Sequence, residues 1–96
     1  MAYYFIVSIA IHDEAEYQRY IDQCDAVFAK YKGKYLAVDN AFEVIEGSSD
    51  GTRKVIIRFD TKEDFDSWYY SEDYQAILTH RLGGATCNAV LVKGIK

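Results

Sequence analysis

The order of secondary structure is set near the start of the chain, where residues 3–33 read YYFIVSIAIHDEAEYQRYIDQCDAVFAKYKG. The first nine of these residues are rich in β-branched and aromatic side chains. They are too few and too uniformly apolar for an amphipathic helix, which favours a buried strand. From Glu14 onward, apolar residues recur at the three- and four-residue intervals of a helix that packs one face on a core. With Asp13 as the expected N-cap and Gly33 as the expected stop, the stretch predicts a strand and then a helix over about Asp13–Lys32.

The next segment predicts a second strand and a hairpin. Lys34–Val38 has strand composition, is interrupted at Asp39-Asn40, where a turn or bulge is favoured, and is expected to resume from Phe42 to Glu46. The sequence GSSDG at residues 47–51 is the most turn-rich segment of the chain. We expect it to join a hairpin to a third strand, Lys54–Phe59.

The remaining third predicts helix and then strand. Thr61 and Ser71 are expected N-caps, so residues between them and Gly83-Gly84 predict one broken helix or two short ones. In the part of the helical region that follows Ser71, the apolar residues of the expected core-facing side are Tyr74, Ile77, Leu78 and Leu82. Thr86–Val92 predicts the last strand.

The predicted order, strand, helix, strand, strand, helix, strand, indicates an α+β fold of the ferredoxin-like kind. Right-handed crossovers then place both helices on one face of a four-stranded antiparallel sheet. Ninety-six residues are too few for two hydrophobic cores, so residues 1–96 are expected to form a single domain.

The predicted sheet is apolar on both faces, although two helices can cover only one. Side chains alternate along a strand, and in the first strand the set that begins with Tyr3 is wholly apolar while the set that begins with Tyr4 is mixed. We expect the apolar set to face the helices. The mixed set, which includes Ser8, Arg58 and Asn88, is expected to face a second copy of the chain, giving a homodimeric α/β barrel. The alternative is a monomer with an apolar patch.

Composition limits the partners and the compartment. The net charge is −4 and half the residues are apolar, which disfavours nucleic-acid binding. No run approaches the roughly 20 apolar residues of a membrane-spanning helix, and the first strand has neither the basic flank nor the cleavage site of a signal peptide. We therefore expect no membrane partner and a cytoplasmic location. Cys24 and Cys87 fit that compartment as unpaired thiols with packing roles.

Five segments in order resemble one known family: AEYQRY with Tyr17 and Tyr20, KYKGKYL around Gly33, Glu46-Gly47, KVIIRF, and SWYYSEDYQA followed by Arg81. Together they resemble the bacterial domain-of-unknown-function family 1330 along nearly the whole chain. The resemblance implies a ferredoxin-like dimeric α/β barrel and no established reaction. Where the family often has an Arg-Gly-Gly-like stretch after the second strand, this chain has Val38, Asp39 and Asn40, so no role of that arginine is implied here.

Three residues are candidates for catalysis. His12 stands at the junction of the first strand and helix, beside Asp13, and as a histidine it is a candidate general base, although an exposed loop histidine is the alternative. Arg81 is a candidate anion-binding group and Tyr17 a candidate acid or base; for Arg81 the alternative is a solvated helix face or an ion pair. The chain has no Gly-rich phosphate loop, paired-cysteine motif or histidine pair at ligand spacing, so neither a metal nor a cofactor is predicted.

The candidate ligand-binding residues are mostly aromatic: Tyr20, Trp68, Tyr69, Tyr74 and His80. Aromatic rings with a polar tip often line ligand pockets, although at helical spacing they also form cores. We expect the aromatic tips to converge with Arg81 on one cleft near His12. Two hypotheses follow: a cofactor-free small-molecule enzyme, or a noncatalytic small-molecule-binding or stress-associated dimeric module.

Overall fold

Four strands and three helices make up the fold in the computed structural model, which describes residues 1–49 and 51–96. In chain order they are β1 (Tyr3–Ile11), α1 (Glu14–Phe28), β2 (Lys34–Asp39), β3 (Arg53–Phe59), α2 (Lys62–Tyr69), α3 (Glu72–Gly84) and β4 (Ala85–Lys93). The strands form one antiparallel sheet in the order β2-β3-β1-β4. This confirms the predicted ferredoxin-like α+β fold, with the second helix broken in two.

The three helices begin at the residues that the sequence indicates. The side-chain oxygens of Asp13, Thr61 and Ser71 each accept a hydrogen bond from the backbone N–H three residues later, at 3.1 Å. Each bond satisfies one of the backbone donors that a helix N-terminus leaves without a partner. Ser71 therefore starts a new helix directly after α2 ends.

Helix α1 ends at Phe28 and not, as predicted, near Lys32. The backbone N–H groups of Lys30 and Tyr31 donate to carbonyls three residues back, at 3.1 and 3.0 Å, so the chain tightens into turns. It then passes close beneath Phe28 at Gly33, where an added Cβ would lie 2.6 Å from Phe28 Cζ. The basic residues after Phe28 therefore belong to a turn.

The predicted continuation of the second strand over Phe42–Glu46 was wrong, because these residues are irregular. Strand β2 ends at Asp39, whose carboxylate accepts a 2.8 Å hydrogen bond from the Ala41 N–H and turns the chain. The hairpin between β2 and β3 therefore has a longer connection than predicted. Of the turn-rich residues 47–51, Gly47 has a positive φ of 75°, and Asp50 lies outside the described residues.

The two faces of the sheet differ as predicted. Phe5, Val7 and Ile9 of β1 are buried against the helices, together with Val55, Ile57 and Phe59 of β3. On the other face, which we call the free face, Val90 and Val92 are 56% and 44% exposed. None of the described helices is long and apolar enough to cross a bilayer.

Candidate functional site

A cavity of about 40 Å³ lies between the helices and the sheet, and we call it the inner cavity. Strands β1 and β3 supply an apolar floor, and α1 and α3 supply the walls. The polar side chains that line it include four tyrosines and two arginines, with Trp68 beside them: Tyr17, Tyr20, Tyr35, Tyr74, Arg53 and Arg81. The volume is enough for a water molecule or a group the size of a carboxylate, and too small for a whole substrate.

Helix α3 carries Arg81 into this cavity. Tyr74, Ile77, Leu78 and Arg81 are all buried, and their spacing of three, four and seven residues places them on one helix face. Leu82, which the sequence predicted on that face, is 55% exposed, whereas Arg81 is only 3% exposed. A guanidinium thus occupies a position where a core helix usually has an apolar residue.

The Arg81 guanidinium lacks the partners that a buried charge normally has. Its Nε and Nη1 atoms are buried and have no hydrogen-bond partner among the described residues. The Tyr20 ring centroid lies 5.9 Å from Arg81 Cζ, a weak cation–π contact. No described residue that lines the inner cavity is acidic. An uncompensated buried charge is costly, and an anionic group beside Arg81 would offset that cost.

The tyrosines around Arg81 are neutral hydroxyls at physiological pH. The Tyr20 and Tyr74 hydroxyl oxygens lie 2.8 Å apart in a buried hydrogen bond. Burial raises the pKa of both groups, and for Tyr74 the nearby Arg81 opposes that shift without reversing it. Burial also raises the pKa of Tyr17, against the opposing effect of Arg53 and Arg81. These hydroxyls can therefore donate or accept hydrogen bonds, but none is poised as an anionic base.

A second, open depression of about 450 Å³ adjoins the inner cavity, and we call it the outer cleft. The two share Tyr17, Ile21 and Arg53 as lining residues. At this boundary Arg53 Nη1 donates a 3.0 Å hydrogen bond to Asn40 Oδ1, while its Nε is buried without a partner in the described chain. The outer cleft has the volume of an ordinary small-molecule site and leads toward Arg81.

The structure brings together most, but not all, of the predicted site residues. Tyr17, Tyr20, Trp68, Tyr74 and Arg81 line the inner cavity. Tyr69 packs behind them, with its ring centroid 5.6 Å from that of Tyr74.

The two histidines lie elsewhere. His12 is exposed and contributes its backbone N–H to a 2.9 Å bond with the Gly84 carbonyl. His80 Nδ1 lies 2.5 Å from Glu16 Oε2, so it joins α3 to α1. Within the described chain, neither histidine lines the inner cavity or the outer cleft.

Arg53 and Tyr35 line the inner cavity although the sequence analysis did not single them out. For Arg53 a signal was available. Side chains alternate along a strand, so Arg53 lies on the same face as Val55 and Ile57, two and four residues later. If the third strand had been predicted to begin at Arg53, this side chain would have been expected to face the helices. For Tyr35 the signal was weaker, because β2 carries a register shift between Tyr35 and Ala37.

Arg81→Met is expected to stabilise the fold, because it replaces a buried charge that has no carboxylate partner with an apolar side chain of similar length. Replacement of a buried ion pair by apolar residues is often neutral or stabilises a protein by about 1–4 kcal/mol, and here no carboxylate partner is lost. Each kcal/mol corresponds to about 4–8 °C in the thermal midpoint of a domain this small. The measurement is the midpoint at a fixed protein concentration. The matched control is Arg19→Met, since Arg19 lies exposed on α1. A lower midpoint for Arg81→Met than for the control would make Arg81 a structural residue.

Solved structures with the same fold include proteins of known and unknown function. SnoaB, a cofactor-independent oxygenase from Streptomyces nogalater, is 16% identical with a TM-score of 0.71, covering 99% of this chain and 94% of its own. A protein of unknown function from Rhodopseudomonas palustris is 15% identical with a TM-score of 0.80, covering 99% and 83%. A dimeric ferredoxin-like protein of unknown function from Jannaschia sp. CCS1 is 12% identical with a TM-score of 0.74, covering 98% and 100%. At these identities the similarity shows the fold alone.

Family membership follows from the sequence. No curated protein matches this chain. The sequence model of the domain of unknown function DUF1330 matches residues 2–95, which is nearly the entire chain and agrees with the five segments that carry the resemblance. The chain therefore belongs to the DUF1330 family.

Proposed function

We propose that this protein binds a small organic anion in the inner cavity and acts on it as a cofactor-free enzyme. The observation that carries the proposal is Arg81, a buried guanidinium with two unpartnered donor atoms in a cavity lined by aromatic rings. An anionic oxygen placed there would satisfy those donors and neutralise the charge. The binding free energy would offset the cost of keeping the charge buried in the free protein.

The two volumes indicate how such a ligand is held. The inner cavity accepts one oxygen-bearing group, and the outer cleft has room for the rest of a small molecule. The ligand would enter past Tyr17 and Arg53, with its anionic end first. The surrounding aromatic rings suit a planar or conjugated body.

The chemistry that this arrangement favours is ionisation of the substrate itself, with the proton released to solvent through the open outer cleft. A guanidinium within about 4–6 Å of a phenol or enol lowers its pKa by about 1–3 units, because the positive charge favours the anion. A phenolate or enolate is electron-rich and reactive without a bound cofactor. Tyr17 would supply a neutral hydroxyl as hydrogen-bond donor. SnoaB is a cofactor-independent oxygenase with this fold, which is compatible with such a substrate.

Noncatalytic binding is the second candidate. It is favoured by the raised pKa of Tyr17, Tyr20 and Tyr74, because none of these three hydroxyls is then ready to act as an anionic base. Under this alternative the protein would hold the anion as a binding or stress-associated module and return it unchanged. Conversion of a bound phenol or enol to product would indicate the enzyme, and its release unchanged would indicate the noncatalytic binding module.

A spectroscopic titration of bound 4-nitrophenol tests the anion site. We expect the pKa of the bound phenol to be lower in the wild type than in Arg81→Gln by about one unit or more, because burial acts in both proteins and Arg81 stabilises the coloured anion only in the wild type. Arg81→Gln should also lose most of the affinity, whereas Arg19→Gln should keep the pKa and the affinity of the wild type. Arg81→Gln that is folded by circular dichroism and leaves the pKa of the bound phenol unchanged would refute the proposed site.

The partner is proposed to be a second copy of the chain, packed on the free face. The related structure from Jannaschia is described as dimeric. This chain exposes 6169 Å² as a monomer of 11.0 kDa, against about 5,600 Å² expected for that mass. The larger exposed area of the single chain agrees with an apolar sheet face that a partner would cover. The cytoplasmic location and the absence of nucleic-acid or membrane partners stay predictions.

A further inference from the structure

We propose that Arg53 forms a second anion-binding position at the mouth of the inner cavity, so that the ligand carries two anionic groups. Dicarboxylates and phenolic acids are the chemical classes with that property. The inference rests on the proposed function, because it takes the first anionic group to lie on Arg81.

The sheet fixes where Arg53 points. Arg53 is the first residue of β3 and pairs with Ile9 of β1, and the neighbouring Thr52 N–H donates to the Ile9 carbonyl at 2.9 Å. Its side chain lies on the same face of the strand as that of Val55, two residues later, which is buried against the helices. The guanidinium therefore extends over the apolar floor, where it lines both the inner cavity and the outer cleft.

The bonding of Arg53 leaves its charge uncompensated in the described chain. Asn40 accepts a hydrogen bond from Nη1 at 3.0 Å, but a neutral amide positions a guanidinium without neutralising it. The Nε atom is buried and has no partner among residues 1–49 and 51–96. Asn40 thus holds Arg53 in place, and the Nε atom remains a buried donor for a ligand.

Tyr17 shows that the two arginines act on the same small region. Tyr17 lines the inner cavity together with Arg53 and Arg81. Burial raises the pKa of the Tyr17 hydroxyl, and both arginines oppose that shift, Arg53 through its charge and a hydrogen bond and Arg81 through its charge. Because all three side chains line one small cavity, one small molecule can reach both guanidinium groups. A ligand that bridges them would pass beside Tyr17.

The charges that line the two cavities favour a ligand with two anionic groups over a ligand with one. Two guanidinium groups line the inner cavity and no described lining residue is acidic; in the outer cleft, the described acidic lining residue is Glu14. A monoanion on Arg81 would leave the charge of Arg53 partly buried and unpaired. A dianion neutralises both, and the Coulomb energy per charge is larger in this desolvated setting than in water.

A series of probes measures this directly. Straight-chain dicarboxylates from malonate to adipate are compared, by displacement of bound 4-nitrophenolate, with monocarboxylates of the same carbon number. We expect one dicarboxylate to bind at least about tenfold more tightly than its matched monocarboxylate, which corresponds to about 1.4 kcal/mol. Arg53→Gln should remove this preference, because it should weaken dicarboxylate binding by at least about tenfold more than monocarboxylate binding. Arg19→Gln serves as the exposed arginine control.

The outcomes separate the two proposals. Equal affinity for dicarboxylates and monocarboxylates at every length, with monocarboxylate binding lost in Arg81→Gln, overturns the second anion position and leaves the proposed function standing. A preference that survives in Arg53→Gln, with an unchanged thermal midpoint, also overturns it. Failure of both series to bind, with 4-nitrophenol unaffected by Arg81→Gln, overturns the proposed function and this inference with it.

Discussion

Phe28→Ala is expected to lower the free energy of unfolding by about 3–5 kcal/mol, as truncation of a buried phenylalanine usually does. Phe28 is 8% exposed at the end of α1. Its ring centroid lies 4.4 Å from that of Tyr35, 5.7 Å from that of Trp68 and 6.4 Å from that of Phe59. These rings are held by other contacts and cannot collapse into the space, so the cavity would persist.

Urea denaturation at a fixed protein concentration measures this loss. The matched control is Phe42→Ala, because Phe42 is half-buried in the β2–β3 connection with Lys54 Nζ 4.8 Å from its ring centroid. We expect the control to cost about 1 kcal/mol, the size of a partly exposed cation–π contact. If the two variants lost equal stability, Phe28 would not be the core residue that the packing indicates.

The core face of α1 was predictable because the helical period in the sequence is strong. Tyr17, Tyr20, Cys24 and Phe28 follow spacings of three and four, and all four are buried, whereas Ile21 in the same stripe is partly buried. Arg81 was expected near the cleft only because it follows Ile77 and Leu78; the structure places it on the buried face, seven residues after Tyr74. The sequence pattern did not reveal that the neighbouring Leu82 would be exposed, because a short apolar run fits two adjacent helix phases.

Other features depended on long-range contacts that sequence patterns do not contain. Phe42–Glu46 has strand composition, but a strand requires a partner, and the turn at Asp39 directs the chain away from β3. The lining role of Arg53 depends on the exact first residue of β3, and element boundaries are the least certain part of such predictions. His12 was singled out for its chemistry and for its position at the junction of the first strand and helix, but its side chain is exposed and does not line the inner cavity.

Val90→Asp is expected to break the dimer. Val90 lies on the free face beside Ile6, which pairs with Val90 on one side and with Ile56 on the other. In a sheet-to-sheet dimer an aspartate there would be buried without a partner, at a cost of about 3–5 kcal/mol, or at least a hundredfold in association. Light scattering at micromolar concentration should give about 22 kDa for the wild type, twice the chain's 11.0 kDa, and 11.0 kDa or unfolded protein for the variant. Ile6→Asp is also expected to dissociate the dimer or unfold the chain.

Leu82→Asp makes the test specific to the free face. In the single chain Leu82 is 55% exposed and Val90 is 56% exposed, so both aspartates would meet the same amount of water if the protein were a monomer. Leu82 lies on α3, on the opposite side of the sheet, where the proposed partner does not reach. A dimer through the free face therefore requires Val90→Asp to dissociate while Leu82→Asp stays near 22 kDa, twice the 11.0 kDa of one chain. A mass that falls equally in both variants, or in neither, would contradict that interface.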